Sequence, residues 1–327
     1  MSEVPVATAV ADYARLQPTL QRAAADAATL ITTILDEASI NYLAVTGRAK
    51  TLQSFAAKAS RLKDGVREFT DPLAQLGDLI GLRIITYVRS DVAAVVALLA
   101  DEFELLDDRD LGAETASEGR FGYASRHLQL RLPPARQVAY ADIGTRQIQV
   151  QLRTVLQHAW AEFEHDIRYK GNIPEEHRPD FDRRFSLAAG LIELADNELS
   201  TIRDRLRESQ GPVTLTSDED PRISATELAA FLAGQFADAG WSRTDRYEWM
   251  AGIVLELGIT SLAELADIVR SVDADAIDRA MAYHYPAGAV RRLDDILLRI
   301  YAERYLGLRG NAHRVELLRA RLAKFSS

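Results

Sequence analysis

Between Arg146 and Lys170 the hydrophobic pattern changes period within one stretch, RQIQVQLRTVLQHAWAEFEHDIRYK. Ile148, Val150 and Leu152 alternate with Gln147, Gln149, Gln151 and Arg153, so the spacing predicts a strand with one apolar and one unusually polar face. From Thr154 onward Leu156, Ala159, Trp160, Phe163 and Ile167 recur at helical spacing, while His158, Glu162, His165 and Tyr169 share another face. A strand lined with amides and a guanidinium, running into such a helix, can build a polar pocket on rigid elements. A solvated strand face beside a mixed helix surface would give the same pattern.

Elsewhere the pattern divides the chain. Residues from Val6 to about Val45 read as Ala- and Leu-rich helices interrupted near Pro18. Thr51 is placed to N-cap a helix running through Leu62. The apolar run from Leu79 to Val88 reads as a buried strand, with Asp78 at its mouth and Arg83 within it. A short helix over 91–102 and a strand over 103–107 follow. Residues 107–122, DDRDLGAETASEGRFG, have no period and read as a long loop. It leads into a strand whose apolar positions are Leu128, Leu130 and Leu132. After a break at GNIPEEHRPD, a long helix is predicted from Phe181 to Glu208. Residues 209–221 have the composition of a linker, and 222–327 read as amphipathic helices. Ser224 and Ser261 each stand three residues before a Glu, the spacing of a capping box. The expected organisation is N-terminal helices over 1–45, an α/β (α+β) domain over 46–208, a linker over 209–221 and an all-α accessory domain over 222–327.

Composition narrows the chemistry. At 327 residues two domains are expected, and a net charge of -9 argues against a general nucleic-acid coat protein. With no Cys there is no thiolate chemistry and no Cys-ligated zinc. No apolar run approaches the roughly 18 residues of a membrane span, and the first residues lack the basic region of a signal peptide, so a cytoplasmic protein is expected. The last segment, from Arg291, carries nine Lys or Arg against four acids. The accessory helices therefore suit a protein partner or self-association, with weak RNA contact left open.

Against this acidic background, Arg48, Lys50, Lys58, Arg61 and Lys63 form the densest basic cluster of the N-terminal half. Lys50, Ser54 and Lys58 are spaced four apart and share a helical face or its entry. A solvated basic helix would look the same. Asp78, five residues before Arg83 at a buried strand, is expensive unless partnered. Tyr123 and His127, at the end of the predicted loop, are placed to stack on or hydrogen-bond a ligand. His158, Glu162 and His165 could also be read as a metal site, although without the HExxH order.

Five pieces in order, RAKTLQSFAAK (48–58), DLIGLR (78–83), GYASRH (122–127), QVQLRT (149–154) and HAWAEFEHDIRYK (158–170), resemble the alarmone synthetase domain of the RelA/SpoT family. The resemblance covers about residues 40–175, without the family's hydrolase domain, and so suggests a small synthetase-only member with a helical extension. It implies a nucleotidyltransferase-like mixed sheet of about five strands flanked by helices. The implied reaction is that of a GTP diphosphokinase, Mg2+-dependent pyrophosphoryl transfer from ATP to the 3′-hydroxyl of GDP or GTP. By the same resemblance Arg48 and Arg83 sandwich adenine, Lys50, Ser54 and Lys58 hold the ATP phosphates, and Asp78 binds Mg2+. Tyr123 stacks on guanine, His127 contacts the acceptor's phosphates, and Gln151 and Arg153 line the same strand face. Such roles make physical sense, because phosphoryl-type transfer depends mainly on positioning and neutralising charge.

One position departs from the family motif Glu-x-Gln-x-Arg-Thr: its first residue here is Gln149. An amide cannot take up the hydroxyl proton and binds Mg2+ only as a neutral ligand. Three readings follow: an attenuated synthetase, a catalytically degenerate nucleotide-binding regulator, or a toxin-like pyrophosphokinase acting on the tRNA 3′ end or adenine nucleotides.

Overall fold

A computed structural model describes residues 4–117, 125–170, 174–209, 222–283 and 285–326. The chain forms two compact units, Met1–Thr33 with Tyr42–Glu198, and Ile34–Asn41 with Leu199–Ser327.

The first unit opens with α1 (Val6–Glu37), which continues into the second. No break occurs at Pro18, contrary to the expectation from sequence. A proline inside a helix costs roughly 3 kcal/mol or more, but Tyr13, Leu20, Ala23, Ala27 and Ile31 are all buried on either side of it, and that packing holds the helix together. Strand β1 (Ala44–Ala49) follows, in a stretch where the sequence pattern predicts helix to about Val45 and then a basic cluster, with no strand. Its VTGR core has no apolar alternation to reveal it. Gly47 explains part of this: a Cβ there would lie 2.3 Å from the Ala24 carbonyl oxygen, so α1 crosses β1 too closely for a side chain.

Thr51 caps α2 (Leu52–Ala59) as expected, accepting from the Ser54 amide, but the helix stops before Leu62. There the chain turns into a short ribbon, β2 (Leu62–Lys63) with β3 (Val66–Arg67), before the one-turn α3 (Pro72–Gln75). Then come β4 (Ile80–Thr86), α4 (Arg89–Glu102), β5 (Glu104–Asp110), α5 (Leu111–Ser117) and β6 (Arg126–Arg131). The one-turn α6 (Pro134–Gln137), β7 (Gln147–Thr154), α7 (Val155–Lys170) and α8 (Arg178–Ser209) complete the series. The segment read as loop from Asp107 thus begins as strand and continues as helix. Its residues up to Asp110 pair with Arg126–Gln129. Such a strand can be polar because it lies at the sheet edge, where one side has no neighbouring strand.

The five strands run in the order β1-β4-β7-β6-β5. Only β4 and β7 are parallel; the other neighbours are antiparallel. This is the mixed five-stranded sheet flanked by helices expected from sequence. Ile80, Leu82 and Ile84 of β4, Leu128 and Leu130 of β6, and Ile148, Val150 and Leu152 of β7 form one buried face. The opposite face is polar.

In the second unit α9 (Ala225–Gln235), α10 (Thr244–Glu256), α11 (Leu262–Arg270), α12 (Ala274–Met281), α13 (Ala289–Tyr301), α14 (Glu303–Leu306) and α15 (Val315–Ala323) enclose their own core, with Leu228, Met250, Leu265, Leu293 and Leu297 at its centre. Ser224 and Glu227 form the full reciprocal capping box, and Ser261 accepts from the Glu264 amide. A charged cluster is buried here as well. Asp294 pairs with Arg314 at 2.5 Å and Arg321 at 2.7 Å, and Asp295 with Arg291 at 2.8 Å. The Glu37 carboxylate lies 3.7 and 3.8 Å from Arg314 and Arg321. Among the described residues no helix is long and apolar enough to cross a membrane.

Candidate functional site

The polar face is legible as rows across the sheet, because residues directly opposed in a ladder share a face. One row runs Arg48, Gly81, Gln149, Gln129, Asp107 from β1 to β5; the next runs Thr46, Arg83, Gln151, His127, Arg109. The alternating glutamines of β7 therefore lie in the middle of a continuous polar floor. At the β1 side that floor opens into a cleft of about 410 Å3 lined by Arg48, Lys50, Ser54, Asp78, Arg83, Gln149 and Gln151, with Thr46 and Glu162 beside them.

The wall of the cleft is held from behind. The Lys50 amide donates to the Leu79 carbonyl at 3.0 Å, which ties the chain before α2 to the mouth of β4. The buried Tyr13 hydroxyl donates to the Lys50 carbonyl at 2.5 Å, and its ring stacks on Phe55 of α2 with centroids 4.1 Å apart. Burial, with a smaller effect from the nearby Asp78 charge, pushes the Tyr13 hydroxyl up to about 12. It stays a donor throughout the physiological range.

At the centre is Asp78. Lys50 Nζ lies 2.6 Å and Lys58 Nζ 2.9 Å from its Oδ2. Burial alone would raise this carboxyl, but the hydrogen bonds and charges of the two lysines outweigh it and hold Asp78 below the usual carboxylate range. Its Oδ1 is buried and has no hydrogen-bond partner. An unsatisfied buried anionic oxygen needs an explanation, and a cation brought in by a ligand supplies one. Among the described residues no group of three His, Asp or Glu could hold a metal by itself. The open Asp78 oxygen is a donor of the kind that suits Mg2+, which commonly takes one or two carboxylates and completes its shell with phosphate oxygens and water.

His158, Glu162 and His165 do not form the metal site that their spacing allowed. Glu162 instead accepts from Arg83 Nη1 at 2.8 Å, with His158 Nδ1 at 3.8 Å. Arg153, buried at the end of the floor, is pushed down to about 10 by burial and then by the charge of Arg83, so it remains a cation at neutral pH. Burial and the charge of Arg109 lower His127, whose Nε2 is buried with no partner.

Of the residues picked out in sequence, Arg48, Lys50, Ser54, Asp78, Arg83, Gln149 and Gln151 come together in the cleft, and Lys58 reaches it through Asp78. His127 and Arg153 lie farther along the same face, outside the cleft. Tyr123 lies outside the described residues. Glu162 was picked out only as a candidate metal ligand, and the structure gives it to Arg83 instead. Thr46 and Gln129 were not picked out; Thr46 depended on a strand with no apolar alternation.

A pattern described as "Region found in RelA / SpoT proteins" matches residues 47–174. The GTP pyrophosphokinase YjbM of Bacillus subtilis (strain 168) is 33% identical over 172 residues, spanning 51% of this chain and 74% of the relative. The small alarmone synthetase 1 of Bacillus subtilis is 27% identical, with a TM-score of 0.48 over 61% of this chain and 99% of the other. The same protein bound to its product pppGpp aligns at 25% identity and a TM-score of 0.47, over 60% of this chain and 98% of that one.

Proposed function

The chain belongs to the RelA/SpoT family of alarmone synthetases, and we propose that it is a GTP diphosphokinase-type enzyme transferring pyrophosphate from ATP to the 3′-hydroxyl of a guanine nucleotide. The observation that carries this reading is the convergence of Lys50, Lys58 and the half-satisfied Asp78 carboxylate in one cleft with Arg48 and Arg83. ATP phosphates displace the lysines from Asp78 and take over their charge, with the Ser54 hydroxyl alongside. Asp78, with Oδ1 already unpartnered and Oδ2 released by the lysines, would hold the metal, and Gln149 would offer it a neutral oxygen. Magnesium, when bound, neutralises charge on the transferred group. Arg48 and Arg83 grip the adenine ring between flat guanidinium planes. Glu162 holds Arg83 in place until the base arrives. The acceptor lies along the floor toward β6, with His127, Gln151 and Arg153 against its sugar and phosphate; for Tyr123, outside the described residues, the role against the base rests on the family resemblance alone.

The acceptor 3′-oxygen attacks the β-phosphorus of ATP and AMP leaves. Gln149 cannot take the hydroxyl proton, and Asp78 would be committed to the metal. The proton passes to solvent, and transfer is slow. A second reading, a nucleotide-binding regulator without turnover, is favoured by the same Gln149. Incubation with labelled ATP and Mg2+ and, separately, GDP, GTP, AMP and deacylated tRNA separates them. Label on a guanine nucleotide supports the synthetase. No label on any acceptor, with ATP binding intact by calorimetry, supports the regulator.

A further inference from the structure

The two ends of the polar floor carry opposite charge. From Arg48 to Arg83 the sequence has seven Lys or Arg against four acids; from Glu102 to Arg131 it has seven acids against four arginines. Position decides what those arginines can do. On the polar face of β5 and β6 the described arginines are Arg109 and Arg131, and each is held by an acid of this chain. Arg109 gives Nε and Nη2 to the two carboxylate oxygens of Glu114 at 3.1 and 2.7 Å. Arg131 Nη1 lies 3.1 and 3.2 Å from the two oxygens of Glu104. Arg126 alternates with His127 and so turns to the other face, where it makes a two-point pair with Asp108 at 2.7 Å. His127 adds no charge at neutral pH, since burial and Arg109 hold it below its ordinary range. Asp107 ends the adjoining row, opposite Gln129 and exposed.

Each further phosphate on an acceptor adds at least one negative charge and needs a charge-assisted partner to be held in place. On β5 and β6 the described arginines can supply that only by giving up an intramolecular carboxylate. We propose that the acceptor of this chain is a nucleoside 5′-monophosphate, with guanine as the base by family membership, in preference to the 5′-di- or triphosphate. This rests on the pyrophosphoryl-transfer reading above and sets the phosphate count of its acceptor. In the step, the acceptor 3′-oxygen bonds to the β-phosphorus of ATP and the bond from that phosphorus to the α,β-bridging oxygen breaks. AMP leaves with that oxygen, and the hydroxyl proton goes to solvent.

The test is competition among GMP, GDP and GTP for label from ATP, read as kcat/KM for each. A value for GMP about tenfold or more above those for GDP and GTP is expected, the size of one charge-assisted hydrogen bond lost to the longer acceptors. Equal values, a preference for GDP or GTP, or preferential labelling of an RNA 3′ end overturns the proposal. Glu114→Gln, at an exposed position, releases Arg109 and should narrow the GMP:GDP ratio by raising the GDP value; an unchanged ratio overturns it. If no acceptor is labelled, the synthetase reading has failed, and the acceptor preference is then read by titrating GMP, GDP and GTP into the protein with Mg2+ and a non-hydrolysable ATP analogue. Tighter GMP binding supports the preference. Equal or tighter GDP or GTP binding, or no binding of any of the three, overturns it.

Discussion

Gln149→Glu isolates the one departure from the family motif. The side chain lies mid-floor, with Gly81 opposite it on β4 and Gln129 opposite it on β6. It lines the same cleft as Asp78, Lys50 and Arg48. Glutamate has the same length, so the change adds a charge without adding bulk. Gly81 has no side chain to compete for the space, and the lysine and arginine across the cleft favour the new anion. A positioned general base contributes roughly 10² to 10⁴ in rate, or about 3 to 5 kcal/mol of barrier at ~1.4 kcal/mol per tenfold. The expected result is a kcat rise within that range, measured by initial-rate transfer of label from ATP to a guanine nucleotide at saturating Mg2+. ATP affinity should change only a few-fold, because in the proposed reading the phosphates are held by Lys50 and Lys58. If Gln149→Glu binds ATP like the parent, melts at the same temperature and transfers label no faster, proton removal does not limit the reaction and Gln149 is not the cause of attenuation.

Other outcomes are fixed by geometry. Asp78→Ala should abolish transfer, and calorimetry should show the Mg2+ dependence of ATP binding disappear; full activity would rule out its metal role. Tyr13→Phe keeps the stack on Phe55 but removes the hydrogen bond to Lys50, so it should lower stability by about 0.5 to 1.5 kcal/mol in urea melts and raise KM for ATP with little change in kcat. His127 has a folded pKa below its unfolded one, so its contribution to stability is present above its ordinary pKa of about 6.5 and is lost as pH falls toward the lowered folded value. His127→Gln should therefore flatten the decline in melting temperature just below pH 6.5. In the helical unit, Asp294→Ala removes the carboxylate that the buried Arg314 and Arg321 share, leaving Arg314 with Asn311 and Arg321 with Asp295; a loss of about 3 kcal/mol is expected, visible as a lower urea midpoint by circular dichroism.

The central strand was legible from sequence because β7 is buried on one face only, and period-two alternation follows directly from that. The lysines that meet on Asp78 were legible as a group because helical spacing put Lys50, Ser54 and Lys58 in line and the cap marked where α2 begins. Local pattern also determined the helical character of the last third. It could not supply β1, whose core-facing position at Gly47 is empty so that α1 can approach, nor the continuity of α1 through Pro18, which depends on packing. The polar end of β5 is strand only because β6 pairs with it. Above all, sequence placed Asp78 and its two lysines 20 and 28 residues apart in the chain without showing that they share a single carboxylate oxygen. That contact exists because β1 pairs antiparallel with β4, with Ala49 opposite Ile80, and the Lys50 amide is tied to the Leu79 carbonyl at the mouth of β4. Such a register is set by burial on the far face and cannot be read from any one segment.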